Sequence, residues 1–113
     1  MTSQIAITSD NEGSTETLHL AGEFDLAAAP VWYAATKDLL ASGARRICVD
    51  VGEVTFVDSY GLKLWMLHQR DAAAHGVEVT LTRVPHQVVQ VLELAGVVGI
   101  LMPRGASTSV LTN

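Results

Sequence analysis

The residues with the most chemical promise lie in one short stretch, Val57-Asp58-Ser59-Tyr60-Gly61. A serine placed behind an aspartate, where a loop runs into a helix, has two uses. Its hydroxyl can cap the helix by accepting an N–H one turn in. It can also carry a phosphate, which at a helix N-terminus meets free N–H groups and the positive end of the dipole. Both uses need the same geometry, so position does not choose between them. A third use, as a hydrolase nucleophile, is poorly supported: the first glycine of the G-x-S-x-G elbow is missing, and no histidine stands near in sequence. The chain has neither the G-x-x-x-x-G-K-[ST] phosphate loop nor the G-x-G-x-x-G dinucleotide fingerprint, so no nucleotide cofactor is expected.

His68, Asp71 and His75 project from one helix face at i, i+3 and i+7, a conceivable nitrogen and oxygen set for zinc. Side chains seven apart are about 10 Å apart along a helix axis, which suits one ion badly. The same spacing describes the polar face of an amphipathic helix, so no metal is expected. His19 and His86 have no companions in sequence. Cys48, the single cysteine, lies in Ile47-Cys48-Val49 and reads as a buried small hydrophobe in a reducing compartment.

The elements that must position Ser59 follow from hydrophobic periodicity. Gln4–Thr8 and Thr15–Leu20 alternate around the polar cluster Ser9–Ser14, the pattern of an antiparallel hairpin. Asp25 caps an Ala-rich helix running to Leu40, with Pro30 tolerable only in its first turn and Gly43 past its end. Arg46–Val51 is β-branched and continuous, a strand buried on both faces. Gly52–Asp58 is read as a loop, and a second helix runs from Ser59 to about His75. Val77–Thr82 is a strand, Pro85 opens a third helix that stops at Gly96, and Val97–Leu101 supplies a last strand. The expected order is β-β-α-β-α-β-α-β. It makes one α/β domain over residues 1–102, a mixed sheet of four to five strands backed by helices, with a mobile polar tail over 103–113.

Composition narrows the function classes. The 113 residues are 49% hydrophobic and 17% charged, with a net charge of −5. A mean hydropathy of +0.30 is too apolar for disorder. The acidic balance, with Arg45–Arg46 the only adjacent basic pair, argues against direct nucleic-acid binding. The longest apolar run, Leu94–Met102, is nine residues, against about 20 for a membrane span, so no membrane insertion is expected. The N-terminus carries no secretory signal pattern, and the expected location is cytoplasmic.

Gly22-Glu23-Phe24-Asp25-Leu26-Ala27-Ala28-Ala29-Pro30, followed by Val49-Asp50-Val51-Gly52-Glu53-Val54-Thr55-Phe56-Val57-Asp58-Ser59-Tyr60-Gly61-Leu62, resembles the STAS domain of bacterial anti-sigma-factor antagonists. The resemblance runs from the first hairpin to Leu101. It implies a non-catalytic module that binds an anti-sigma-factor serine kinase when unphosphorylated. Phosphorylation of Ser59 releases the module, and a serine phosphatase resets it. It further implies that Asp58, Asp25 and Gly61 support the phosphosite. Tyr60 stands where the family usually has a second Ser or Thr, and Lys63 where glycine is common, so the partner surface is specialised.

That surface is expected on the exposed side of the second helix, at Tyr60, Lys63 and Leu64. Leu62 also belongs to the partner-binding set, although its spacing with Met66 turns both inward. Trp65 is assigned to the core on its bulk. The alternative within the family is a STAS subunit of a lipid-type ABC transporter or a stress-signalling complex, with Ser59 only a helix cap.

Overall fold

The computed structural model describes residues 4–102, so the expected tail lies outside the described residues. Strands β1 (Ile5–Glu12) and β2 (Thr15–Phe24) form the anticipated hairpin, Ile5 opposite Gly22 and Glu12 opposite Thr15. Gly13, at φ +64, makes the turn a side chain would strain. Strand β3 (Arg46–Val57) lies parallel to β2, and β4 (Glu78–Thr82) parallel to β3, giving the order β1-β2-β3-β4. The parallel crossovers carry helices α1 (Ala29–Thr36) and α2 (Ser59–Ala74), and α3 (His86–Ala95) and α4 (Val98–Leu101) follow β4.

Three sequence expectations change. The first helix is interrupted: 3-10 turns at Leu26–Ala28 and Leu39–Ala41 flank α1, and Pro30 sits in the first turn of α1, where its missing N–H costs least. The stretch read as a loop after Val51 is strand as far as Val57. Residue pairs continue to Phe24 opposite Val57, through register shifts that absorb Gly52 and its neighbours. Val97–Leu101 is not a strand. Gly96 ends α3 at φ +73, and the amides of Ile100 and Leu101 turn back onto the Val97 carbonyl, making the short helix α4. A short apolar run does not distinguish the two forms by periodicity. The sheet therefore has four strands.

Alternation along the strands sorts side chains cleanly. Leu18, Leu20, Phe24, Ile47, Val49, Val51 and Leu81 are buried in one core with Trp32, Trp65, Val88, Leu92 and Leu101. At its centre, Phe24 stacks on Trp65 at 4.8 Å between centroids and meets the edge of Trp32 at 5.2 Å, so Trp65 is a core residue as read. Cys48 is only half-buried, and burial pushes its thiol up from the usual value. Among the described residues no helix is long and apolar enough to cross a membrane.

Candidate partner-binding site at the start of the second helix

Phe24 and Val57 are paired across β2 and β3, and the next residue on each strand is an aspartate. Both chains leave the sheet at this point, and both aspartates close a turn. Asp25 Oδ1 accepts the Ala27 N–H at 3.1 Å, capping the 3-10 turn before α1. Asp58 Oδ1 accepts the Gly61 N–H at 2.8 Å, with the extended backbone of a helix cap (φ −104°, ψ −178°). Asp58 therefore caps α2, not Ser59.

The difference matters for Ser59. It occupies the first position of α2, is exposed, and its hydroxyl has no hydrogen-bond partner among the described residues. Relieved of capping, it is presented to solvent at the positive end of a 16-residue helix. No base is hydrogen-bonded to it, so the arrangement offers a group to be modified rather than an activated nucleophile.

Gly61 explains how closely the two turns approach. A Cβ built on it would lie 2.1 Å from the Phe24 carbonyl oxygen, so only glycine lets α2 start against the end of β2. Of the residues expected to meet a partner, Tyr60 (41% exposed) and Lys63 are on the surface, with Lys63 Nζ 6.0 Å from the Tyr60 ring centroid. That separation is at the outer limit of a cation–π contact. Leu64 and Leu62 are both buried, so neither side chain is offered to a partner. A helix entering over the sheet end buries a broader stripe than the Leu62/Met66 line alone, and the stripe takes in Leu64, Trp65 and His68.

Two residues absent from the sequence reading replace them. Leu26, next to Asp25, is 53% exposed, and Phe56, two residues before Asp58, is 50% exposed. With Tyr60 they place three large exposed apolar side chains close in sequence to the two aspartates, on the 3-10 turn, the end of β3 and the start of α2. The available signal was an apolar residue at or near each motif aspartate, but Phe56 falls in the stretch read as a loop, which assigns it no face; as part of β3 it takes the outward phase.

The zinc pattern does not assemble. His68 is buried, Asp71 is exposed, and His75 Nδ1 lies 2.8 Å from the Asp71 carbonyl oxygen; no group of three candidate ligands occurs among the described residues.

A second polar cluster, unread in the sequence, crosses the sheet away from Ser59. His19 on β2 has Nε2 2.8 Å from Asp10 Oδ2 on β1 and Nδ1 3.0 Å from Asp50 Oδ2 on β3. Arg83 Nε donates to Asp50 Oδ1 at 3.0 Å, and so does the Gly52 N–H. Arg83 lies flat over Gly52, where a Cβ would meet the guanidinium at 2.5 Å, and Arg83 itself holds a left-handed φ of +51. The hydrogen bonds to Asp10 and Asp50 raise the His19 pKa above its usual value, against a smaller opposing effect of burial. Burial disfavours the charged form of Asp50, but the Gly52 N–H, Arg83 and His19 together outweigh it and hold its carboxyl below the usual range.

Comparison with known proteins agrees with the fold. The family model described as "Mlab, STAS domain" matches residues 7–103. A putative anti-sigma factor antagonist from Thermotoga maritima superposes with a TM-score of 0.77 at 18% identity, covering 85% of this chain and 83% of that one. The phosphorylated form of the Bacillus cell fate determinant SpoIIAA gives 0.68 at 23%, covering 86% and 88%. A sulfate transporter family protein from Wolinella succinogenes gives 0.67 at 17%, covering 80% and 73%. The chain also spans 18% of the length of a protein designated Mglu, at 28% identity over 66% of this chain and a TM-score of 0.59. No curated protein sequence matches significantly.

Proposed function

This chain belongs to the STAS domain family, and from that premise we propose that it is an anti-sigma-factor antagonist, a non-catalytic cytoplasmic partner-switching module controlled at Ser59. The observation that carries the proposal is the serine at the first position of α2, exposed and freed from capping by Asp58, with Leu26, Phe56 and Tyr60 exposed on the adjoining 3-10 turn, strand end and helix start. Likeness over most of both chains to antagonist structures, and to the phosphorylated form of SpoIIAA, supports the same reading. The partner is an anti-sigma-factor serine kinase that docks on this end, and a serine phosphatase reverses the modification.

The physical basis of the switch is charge. A phosphate on Ser59 adds about −1.5 to −2 charges beside Asp58 and near Asp25. The helix end stabilises it by at most about 2 kcal/mol, so the fold survives while the apolar surface around it becomes anionic. A partner fitted to the neutral hydroxyl then meets a desolvated, unmatched charge. A loss of about 3 kcal/mol corresponds to roughly a hundredfold in affinity.

The test is incubation with anti-sigma serine kinases and ATP, followed by intact mass and calorimetry. One added phosphate, absent in Ser59→Ala, and a hundredfold weaker kinase complex are expected. Equal affinity of both forms would instead favour a STAS subunit of a transporter or stress-signalling complex, a reading that the likeness to the sulfate transporter family protein supports.

A further inference from the structure

His68 is shut into the seam between α1 and α2. It is 8% exposed, and both of its ring nitrogens are buried with no hydrogen-bond partner among the described residues. Its ring meets Trp32 of α1 with centroids 5.3 Å apart and planes at 80°. Buried polar atoms are almost always paired in native proteins, so two orphans on one titratable ring need a physical account.

A neutral imidazole leaves one donor and one acceptor unpaired here. Protonation would make both nitrogens donors and add a charge. The buried hydroxyl of α1, on Thr36, is turned to the Trp32 carbonyl oxygen at 2.9 Å. An aromatic face is a weak acceptor and can take only one of the two N–H groups. The charged or titratable side chains lining the seam with His68 are Tyr33 and Lys37 from α1 and Arg70 and Asp71 from α2. The other elements packed on α2, which are β3, β4, α4 and the 3-10 turn at Leu26–Ala28, contribute none to it. Only Asp71 favours an imidazolium, and Lys37 and Arg70 carry its own sign. Burial accordingly pulls the His68 pKa below its usual value, against the weaker opposing pull of Asp71.

The two helices are not held equally. Helix α2 has 16 residues and buries six of them, whereas α1 has eight and buries only Trp32 and Thr36. Trp32 is the residue that His68 touches, so strain at the seam falls on the weaker helix. We propose that His68 is a pH-sensitive latch on α1: the neutral ring holds the seam closed, and its protonation in mild acid undocks α1 while α2 and the sheet stay in place. The proton is stable only where water reaches the ring, so acid favours the open seam. The closed seam is therefore fully stable above the ordinary histidine value of 6.5 and weakens as pH falls below it, by up to about tenfold in the open-to-closed ratio per pH unit. His19 acts above 6.5 and with the opposite sign, and Asp50 acts below 3.8, so neither contributes in between.

The test is histidine-ring 15N spectra and amide hydrogen exchange on the full 113-residue chain, from about pH 7.5 to about pH 5. The His68 ring should titrate with a midpoint below 6.5. Over the same range the protection factors of the α1 amides should fall about tenfold, while those of α2, β2 and β3 hold. His68→Leu should keep α1 protection constant with pH, and His19→Gln should show the same loss as wild type. Should His68→Leu fail to fold, the wild-type ring and α1 amides still decide. Constant α1 protection in wild type, protection lost equally across the sheet, a His68 midpoint at or above 6.5, or an undiminished loss in folded His68→Leu would each overturn the proposal.

Discussion

Around His19, side chains from three strands and the segment after β4 bond to one another in series, Asp10 to His19 to Asp50 to Arg83, with no contact longer than 3.0 Å. At the start of α2 the arrangement is the reverse. Asp58 uses one oxygen on the Gly61 N–H, and the hydroxyl beside it has no partner among the described residues. The first cluster ties strands together and sets its charged groups against one another. The second concentrates free hydrogen-bonding capacity, a helix dipole and exposed apolar side chains in one place, which is what a docking and modification site requires. Charged residues at a sheet thus divide by what remains unpaired, not by how many there are.

The contrast breaks most readily at Gly61. Gly61→Ala sets a methyl against the Phe24 carbonyl oxygen and forces the helix start away from β2, an expected loss of about 1–3 kcal/mol in chemical denaturation. A midpoint equal to wild type would mean that the two turns are not held together there. Next in size is the surface itself. Tyr60→Ala with Lys63→Glu should weaken kinase binding at least tenfold, about 1.4 kcal/mol, with the denaturation midpoint unchanged because both side chains are exposed. Unaltered pull-down by that double variant would displace the surface from this end.

Asp58→Ala removes the cap and should cost about 1 kcal/mol of stability. Ser59→Ala should cost almost nothing, since its hydroxyl caps nothing. Reversed magnitudes in thermal melts would restore Ser59 as the cap.

The smallest effect belongs to His19, which is part-exposed and screened by solvent. Its folded pKa is raised above the unfolded value of 6.5, so its contribution is complete below 6.5 and is lost as pH rises through the folded value. The melting temperature should therefore fall more between about pH 6 and pH 8.5 in wild type than in His19→Gln. Asp50 behaves oppositely: its pKa is lowered from 3.8, so its contribution is present above 3.8 and is lost as acidification passes the folded value. Identical pH profiles in wild type and His19→Gln would show that the cluster does not link the strands.

Much of this molecule is legible in one dimension because the relevant physics is local. Alternation in Thr15–Leu20 announces a half-buried strand, Pro85 and Gly96 bracket α3, and an aspartate ahead of an apolar period marks the start of each of the first two helical segments. The Asp58-Ser59 pair pointed to the candidate site, and the two stretches Gly22–Pro30 and Val49–Leu62 together suggested the STAS family. Choosing between two adjacent cap residues was not possible from the sequence, because both Asp58 and Ser59 are good caps and only backbone angles separate them.

What tertiary structure alone decided shares one cause: each outcome depends on a neighbour distant in the chain. Residues 52–57 are strand because β2 offers partners as far as Phe24, and the two register shifts in that pairing turn Val54 inward before the original phase returns with Phe56 outward and Val57 buried. Leu64 is buried because α2 crosses a sheet end that Gly61 lets it approach, and Val98–Leu101 coils because local amide bonds, not a strand partner, take up its backbone. His19 had no companion within reach along the sequence and acquires two carboxylates from the strands on either side. His68, a polar-face residue by periodicity, is buried against Trp32 of α1, where its nitrogens meet no partner among the described residues. Spacing along a helix or strand sets which residues share a face; whether that face meets solvent or a neighbouring element is set by packing that the spacing does not encode.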